Sequence, residues 1–211
     1  MDKFCFPGMV RLMSTLSEIV DRIYPKSDLS ISELEDLLDP MTHEERVGWI
    51  RNQNLVDQMR LWNLAAGRGV TLEHLVPTSC APGVEVIHEG KNTLPVFSAF
   101  QKRFVRDIEQ PSVVYGYNEG ATRHVIGPGY FVAEFDELRS EVGVNYYRVP
   151  PSSARLPVNW PEVKTNEEGL QKFVFSTMVD YLRRLSSHVC IGRAYKASQE
   201  THNYFLLVRQ D

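Results

Sequence analysis

Three side chains in the segment YGYNEGATRHVIGPGYF (residues 115–131) could move a proton: Tyr117, Glu119 and His124. An imidazole titrates near neutrality, and a carboxylate or phenol beside it would orient the ring for general acid–base work. Whether the three meet depends on the register of a hairpin. Asn118-Glu119-Gly120 fits a type I turn followed by a left-handed glycine, a common three-residue loop. That register sets Tyr117 opposite Ala121 and Tyr115 opposite Arg123, with His124 on the other face. A two-residue turn at Gly120-Ala121 instead sets Tyr117 opposite His124 and Glu119 opposite Thr122, which gathers all three on one face. Asn-Glu-Gly suits the first register better, and both are carried forward. The Gly127-Pro128-Gly129 that follows reads as a sharp corner between strands, because proline fixes φ and cannot donate to a ladder. It lacks the third glycine and the following helix of a dinucleotide fingerprint.

A second constellation suits anion binding. Arg123, Arg148 and Arg193 lie in the same half of the chain as Tyr117, Tyr130 and Tyr147. In GVNYYRV, strand alternation puts Val144, Tyr146 and Arg148 on one face and Asn145, Tyr147 and Val149 on the other. VCIGRAY puts Val189, Ile191, Arg193 and Tyr195 together. Arginine beside tyrosine on an inward face would hold a carboxylate or phosphate at the end of an apolar pocket. On a sheet with one wet face, the same residues would simply meet solvent.

Several chemistries lack their signatures. The six histidines are scattered, with neither HExxH nor CxxC among the motifs, so no metal and no cofactor are expected. No GxSxG elbow occurs. Of the three cysteines, Cys5, Cys80 and Cys190, the last reads as a buried small residue in an apolar strand. Cys80, in the loop PTSCAPG, is the better candidate for a reactive thiol. A net charge of −4 gives no footprint for nucleic acid and no general attraction to anionic membranes. The N-terminal apolar residues are interrupted by Pro7, Gly8, Arg11 and Glu18, unlike a signal peptide, and no stretch approaches a membrane span. A cytoplasmic protein with free thiols is the expectation.

The elements that must position these residues follow from periodicity. Helices are expected over 9–24, over 28–38 with Ser30 or Ser32 as cap, and over 42–66 behind the Thr42/Glu45 capping box. VEVIH (84–88) alternates as a strand. In PVFSAFQKRFVRDI (95–108), Phe97, Phe100, Phe104 and Ile108 recur at helical steps. Strands are expected at 112–118, 122–126, 129–135 and 143–149. A long helix over 166–187 carries Leu170, Phe173, Val174, Met178, Tyr181, Leu182 and Leu185 on one wide face. Strands at 189–195 and 203–209 close the chain.

The resulting fold class is α+β: N-terminal helices, then a curved antiparallel sheet packed against a long C-terminal helix. The 211 residues form a single domain, helical over 1–70 and β-rich over 84–211. Three functions are compatible with it. The first is binding of a small, partly apolar, anionic ligand between sheet and helix, with Arg123, Arg148 or Arg193 holding the charge and Tyr117, Tyr130 and Tyr147 lining the walls. The second is a cofactor-independent hydrolase, isomerase or cyclase with His124 as general base. The third is an interaction module whose N-terminal helices present a homodimer or partner surface.

Overall fold

The computed structural model describes residues 29–210. The helix expected over 9–24 and Cys5 lie outside the described residues. Three helices come first: α1 (Ile31–Leu38), α2 (His43–Arg51) and α3 (Leu55–Leu64). A single turn, α4 (Leu72–Leu75), leads into eight strands: β1 (Glu85–Asn92), β2 (Ala99–Arg106), β3 (Val114–Glu119), β4 (Phe131–Asp136), β5 (Glu141–Asn145), β6 (Met178–Arg184), β7 (Val189–Lys196) and β8 (Gln199–Arg209). Each pairs antiparallel with the next, and β8 pairs with β1, so the sheet closes into an up-and-down barrel with no free edge. Two short helices interrupt the meander: α5 (Arg123–Ile126) between β3 and β4, and α6 (Gln171–Phe175) between β5 and β6.

The closed barrel overturns the α+β reading. The segment 166–187 is not one helix: α6 ends at Phe175, Thr177 adopts φ +60, and Met178–Arg184 is a strand. A β-branched residue at positive φ cannot continue a helix. Leu170, Phe173 and Val174, three members of the supposed apolar face, are exposed. The helix expected over 95–108 is strand β2. Phe100 and Phe104 satisfy a step of four and also two steps of two, and Phe97 and Ile108, which made the pattern look helical, are exposed outside the strand. The helix expected over 42–66 is split at Asn52–Asn54. Asn54 caps α3 in a capping box with Asp57, just as Thr42 caps α2 with Glu45 and Ser30 caps α1 with Glu33. Residues 122–126 are not a strand but contain α5, so neither hairpin register forms. Instead Val114, Tyr115 and Gly116 pair with Ala133, Val132 and Phe131.

Inside the barrel, large and small residues alternate across the ladder. Gly90 faces Phe100, Gly116 faces Phe131, and Gly192 faces Phe205 as direct cross-strand partners. Each ring lies over its glycine: a Cβ at Gly192 would sit 2.1 Å from Phe205, and one at Gly116 would sit 2.4 Å from both Phe131 and the Arg103 carbonyl oxygen. The three glycines thus provide the room that three phenyl rings occupy. Gly116→Ala is expected to lower unfolding free energy by about 1–3 kcal/mol or more, because the carbonyl it meets is part of the ladder. Gly192→Ala meets ring atoms first, so Phe205→Leu should recover part of its loss, whereas Phe131→Leu should not rescue Gly116→Ala. Urea unfolding of the four variants checks this, and equal rescue at both sites would refute the packing argument.

The outer wall is covered on two sides. Leu34, Leu38, Trp49, Ile50, Leu61 and Trp62 of α1–α3 pack on Val189, Ile191, Leu206 and Val208 of β7 and β8. Those strands are therefore apolar on both faces and read as near-continuous hydrophobic runs. Across the barrel, Tyr115, Tyr117, Tyr130 and Val132 are covered by Leu156, Trp160 and Val163 of the long β5–β6 connection. One barrel end is closed by α4: the Leu75 carbonyl lies 2.8 Å from His88 Nε2, Arg209 donates to the His74 carbonyl at 2.5 Å, and Arg106 donates to the Val76 carbonyl. The opposite end carries α5, α6 and the β1–β2 and β7–β8 turns.

Candidate functional site

Strand alternation puts five polar side chains inside the barrel, four on strands and one, Tyr146, just past the end of β5. His88 and Lys102 are direct cross-strand partners, and Asn118, Tyr146 and Asp180 approach from β3, the end of β5 and β6. Lys102 and Asp180 are each only 2 % exposed. The Lys102 ammonium donates to Asp180 Oδ2 at 3.1 Å, to Asn118 Oδ1 at 3.0 Å and to the Tyr146 hydroxyl at 2.5 Å. The same hydroxyl donates to Asp180 Oδ2 at 3.2 Å. Four ring centroids surround the ammonium: Phe205 at 4.9 Å, Phe131 at 5.0 Å, Tyr146 at 5.1 Å and Phe100 at 5.9 Å. Rings at these distances attract a desolvated cation. Three of the four are the rings that the glycines accommodate, so the packing of the fold and the cage around Lys102 are one arrangement.

The electrostatics of the cluster oppose one another. Burial pushes Lys102 down and Asp180 up, each towards its neutral form, and their mutual attraction resists both shifts. Burial and then the charge of Asp180 push the Tyr146 phenol well above its ordinary value, so it stays a donor. His88 is pushed down to about 3 by burial, and the charges of Arg209 and Lys102 add to that. It is neutral at physiological pH, with its ring against Phe104. Two buried polar atoms of this interior lack a partner: Asp180 Oδ1 and His88 Nδ1.

Above the cluster lies a lid. Phe175 of α6 stacks on Tyr146 with centroids 5.3 Å apart and planes 14° from parallel, and its ring fills the space over Gly129. The lid is bracketed by Gly169 at φ +59 and Thr177 at φ +60, and the Lys196 ammonium donates to the Phe173 carbonyl. A cleft of about 470 Å³ separates α6 from α5, lined by Arg123, His124, Gly127, Lys164, Leu170 and Gln171 among others. This barrel end also exposes Val96 and Phe97 of the β1–β2 turn, Val125 of α5, and Leu170 and Phe173 beside Phe175. An apolar rim of that kind marks a contact or ligand route more often than a random surface does.

The residues singled out from sequence lie elsewhere. Tyr117, Glu119, Arg123 and His124 do form a chain. The Tyr117 hydroxyl donates to Glu119 at 3.3 Å, Arg123 Nε donates to Glu119 at 2.8 Å, and Arg123 Nη2 lies 3.1 Å from His124 Nε2. A guanidinium separates the carboxylate from the imidazole, and His124 is exposed. Arg148 donates to both oxygens of Glu134 at 2.8 Å on the outer surface. Arg193 pairs with Glu200 at 2.7 Å, also outside the barrel. Tyr147 is exposed, and Tyr130 is buried beneath the β5–β6 connection, its hydroxyl donating to the Pro161 carbonyl at 2.5 Å. Cys190 is buried in the barrel interior, where burial pushes its thiol up to about 12. Cys80 is half-buried.

Sequence reasoning passed over Lys102, Tyr146, Asp180 and Asn118 as site residues. Their signal was available as polar residues at inward positions of alternating strands, F-Q-K-R-F and V-D-Y-L, but only once those segments are strands. Among the described residues, no three His, Cys, Asp or Glu side chains gather as a metal site, and no helix is long and apolar enough to cross a membrane. Comparison of the chain with protein-family models, curated proteins and solved structures returns no match, so the caged Lys102–Asp180 pair itself carries the functional reading.

Proposed function

We propose that this protein binds a small, mostly apolar molecule inside the barrel, with one polar head against Lys102, Asp180 and Tyr146. The observation that carries the reading is Asp180, which is buried with one oxygen bonded twice and the other without a partner. An unsatisfied buried acceptor costs about 1–3 kcal/mol. A buried ion pair is commonly no more stabilising than apolar residues of the same volume. Groups kept in a core against stability are what a recognition site requires.

The head that fits donates to Asp180 Oδ1 while accepting from the lysine or tyrosine: a hydroxyl, an amide or a protonated carboxyl. A carboxylate would add negative charge to a pair that is already neutral. Arg123, Arg148 and Arg193, expected to hold an anion, each face a glutamate outside the barrel. The route is the cleft between α5 and α6, because Phe175 belongs to the segment that lines the cleft and also covers Tyr146. The N-terminal helices, expected as a partner surface, pack Leu34, Leu38, Trp49, Ile50, Leu61 and Trp62 on β7 and β8 and leave Leu55, Val56 and Met59 of α3 exposed.

N-phenylnaphthylamine is a suitable probe: neutral, apolar, with a single N–H donor, and fluorescent when taken out of water. Saturable binding is expected for the native protein. Binding at least about tenfold weaker is expected for Lys102→Met/Asp180→Val, from loss of a charge-assisted hydrogen bond. Equal binding by the two proteins would refute the reading. So would an absence of binding together with a native mass spectrum that carries no non-covalent mass.

A further inference from the structure

We infer that the cleft at the α4 end of the barrel is a second binding site, one that takes a small phosphorylated molecule through Arg184, Arg209 and His74. The cleft holds about 450 Å³ and lies on the far side of the barrel from the lid. That volume suits a sugar-phosphate-sized ligand. Thr71 and Ser187 contribute hydroxyls to its wall, and Glu73 is the carboxylate on it.

Two arginines in one cleft match the donor geometry of a phosphoryl group better than lysines would. Arg209 is fixed in place by its bond to the His74 carbonyl, and Arg184 is tethered through Nη2 to Glu35 at 2.9 Å. Glu35 is shared with Arg68 at 2.6 Å, so one carboxylate faces two guanidiniums and the trio keeps a positive charge. His74 gives the independent sign of an unfilled site. It is 8 % exposed, it lines the cleft, and its Nε2 has no partner. Burial holds its imidazole well below the ordinary value, and the other groups acting on it, His88, Arg209, Arg184 and His188, all push the same way. A phosphoryl group in the cleft would meet this positive field, and its negative charge would draw the imidazole of the cleft wall towards imidazolium.

The test uses the full chain and inorganic phosphate, with chloride at matched ionic strength as control. Phosphate should shift the His74 imidazole resonances saturably and raise their titration midpoint, since a nearby anion favours imidazolium. Arg184→Gln should weaken phosphate binding about tenfold, the value of one charge-assisted hydrogen bond. Arg148→Gln, which removes an arginine from the opposite half of the outer wall, should leave binding unchanged. Shifts equal in phosphate and chloride would overturn the inference, as would equal phosphate affinity in Arg184→Gln and the native protein. If Arg184→Gln fails to fold, the phosphate-against-chloride comparison on the native chain still decides. Because the probe and the variants differ from those for the interior site, either site can fail without the other.

Discussion

Lys102→Met is expected to destabilise the barrel by about 3–5 kcal/mol, and Lys102→Met/Asp180→Val to recover all of that loss or exceed native stability by about 1–4 kcal/mol. The asymmetry follows from where the charges sit. Removing the lysine leaves a carboxylate inside an apolar barrel with only Tyr146 and no counter-charge, and the carboxyl must take up a proton or drag in water. Removing both groups leaves an interior of Phe100, Phe131, Phe205 and aliphatic neighbours with no charge left to desolvate, and Tyr146 and Asn118 still bond each other at 3.2 Å. Chemical unfolding of the two variants and the native protein at neutral pH reads the result. The idea that the pair is held for recognition would be sunk by a double variant less stable than Lys102→Met. That outcome would make the pair a structural strut.

Acid should unfold the protein through His88. Its folded value of about 3 lies below the ordinary 6.5 of an exposed imidazole. Between those limits the unfolded chain binds a proton that the native barrel does not. Stability therefore falls as pH drops from about 6.5 towards 3, by roughly 4 kcal/mol in total for this group alone. His74, also held low by burial, acts with the same sign. Asp180, pushed up, acts with the opposite sign: the native state holds its proton to higher pH, which favours folding as pH falls. The clean comparison is therefore His88→Gln, which retains a side-chain donor for the Leu75 carbonyl and leaves Asp180 in place. Its unfolding free energy should lose about 1.4 kcal/mol per pH unit less than the native protein's, the slope of one proton. Identical slopes between pH 6 and 4 would show that the imidazole takes its proton without unfolding the barrel.

Both predictions turn on residues whose importance comes from their position across strands. Local chemistry was readable in the chain. The capping residues Ser30 and Thr42 mark two helix starts, and each box is present, whereas the box at Asn54 was hidden inside the helix expected over 42–66. The apolar runs VCIGRAY and NYFLLVR mark two strands. The turn between them, Ala197-Ser198, takes φ +48 and +64, the left-handed pair that a two-residue hairpin demands. The outer-surface arginines read as a ligand set because residue type alone does not tell a solvated face from an inward one, and Glu119, Glu134 and Glu200 beside them are contributed by strands β3, β4 and β8.

Of this protein, the sequence by itself determined the capped N-terminal helices, the antiparallel character of the β-rich half and the absence of familiar catalytic motifs. Only the tertiary structure decided that the sheet closes, and with it the identity of the site. Phe100, Lys102 and Phe104 form a β pattern or part of a helical one until the neighbouring strand supplies Gly90 to receive a ring. Asp180 looks like an i,i+4 partner for Arg184 until β6 forms and turns the two to the same ladder but different surroundings. Periodicity is a property of about ten neighbouring residues, whereas inside and outside are defined by strands that can lie more than a hundred residues apart, as His88 and its partner Arg209 do. Closing β8 on β1 turns an ordinary lysine into a caged cation.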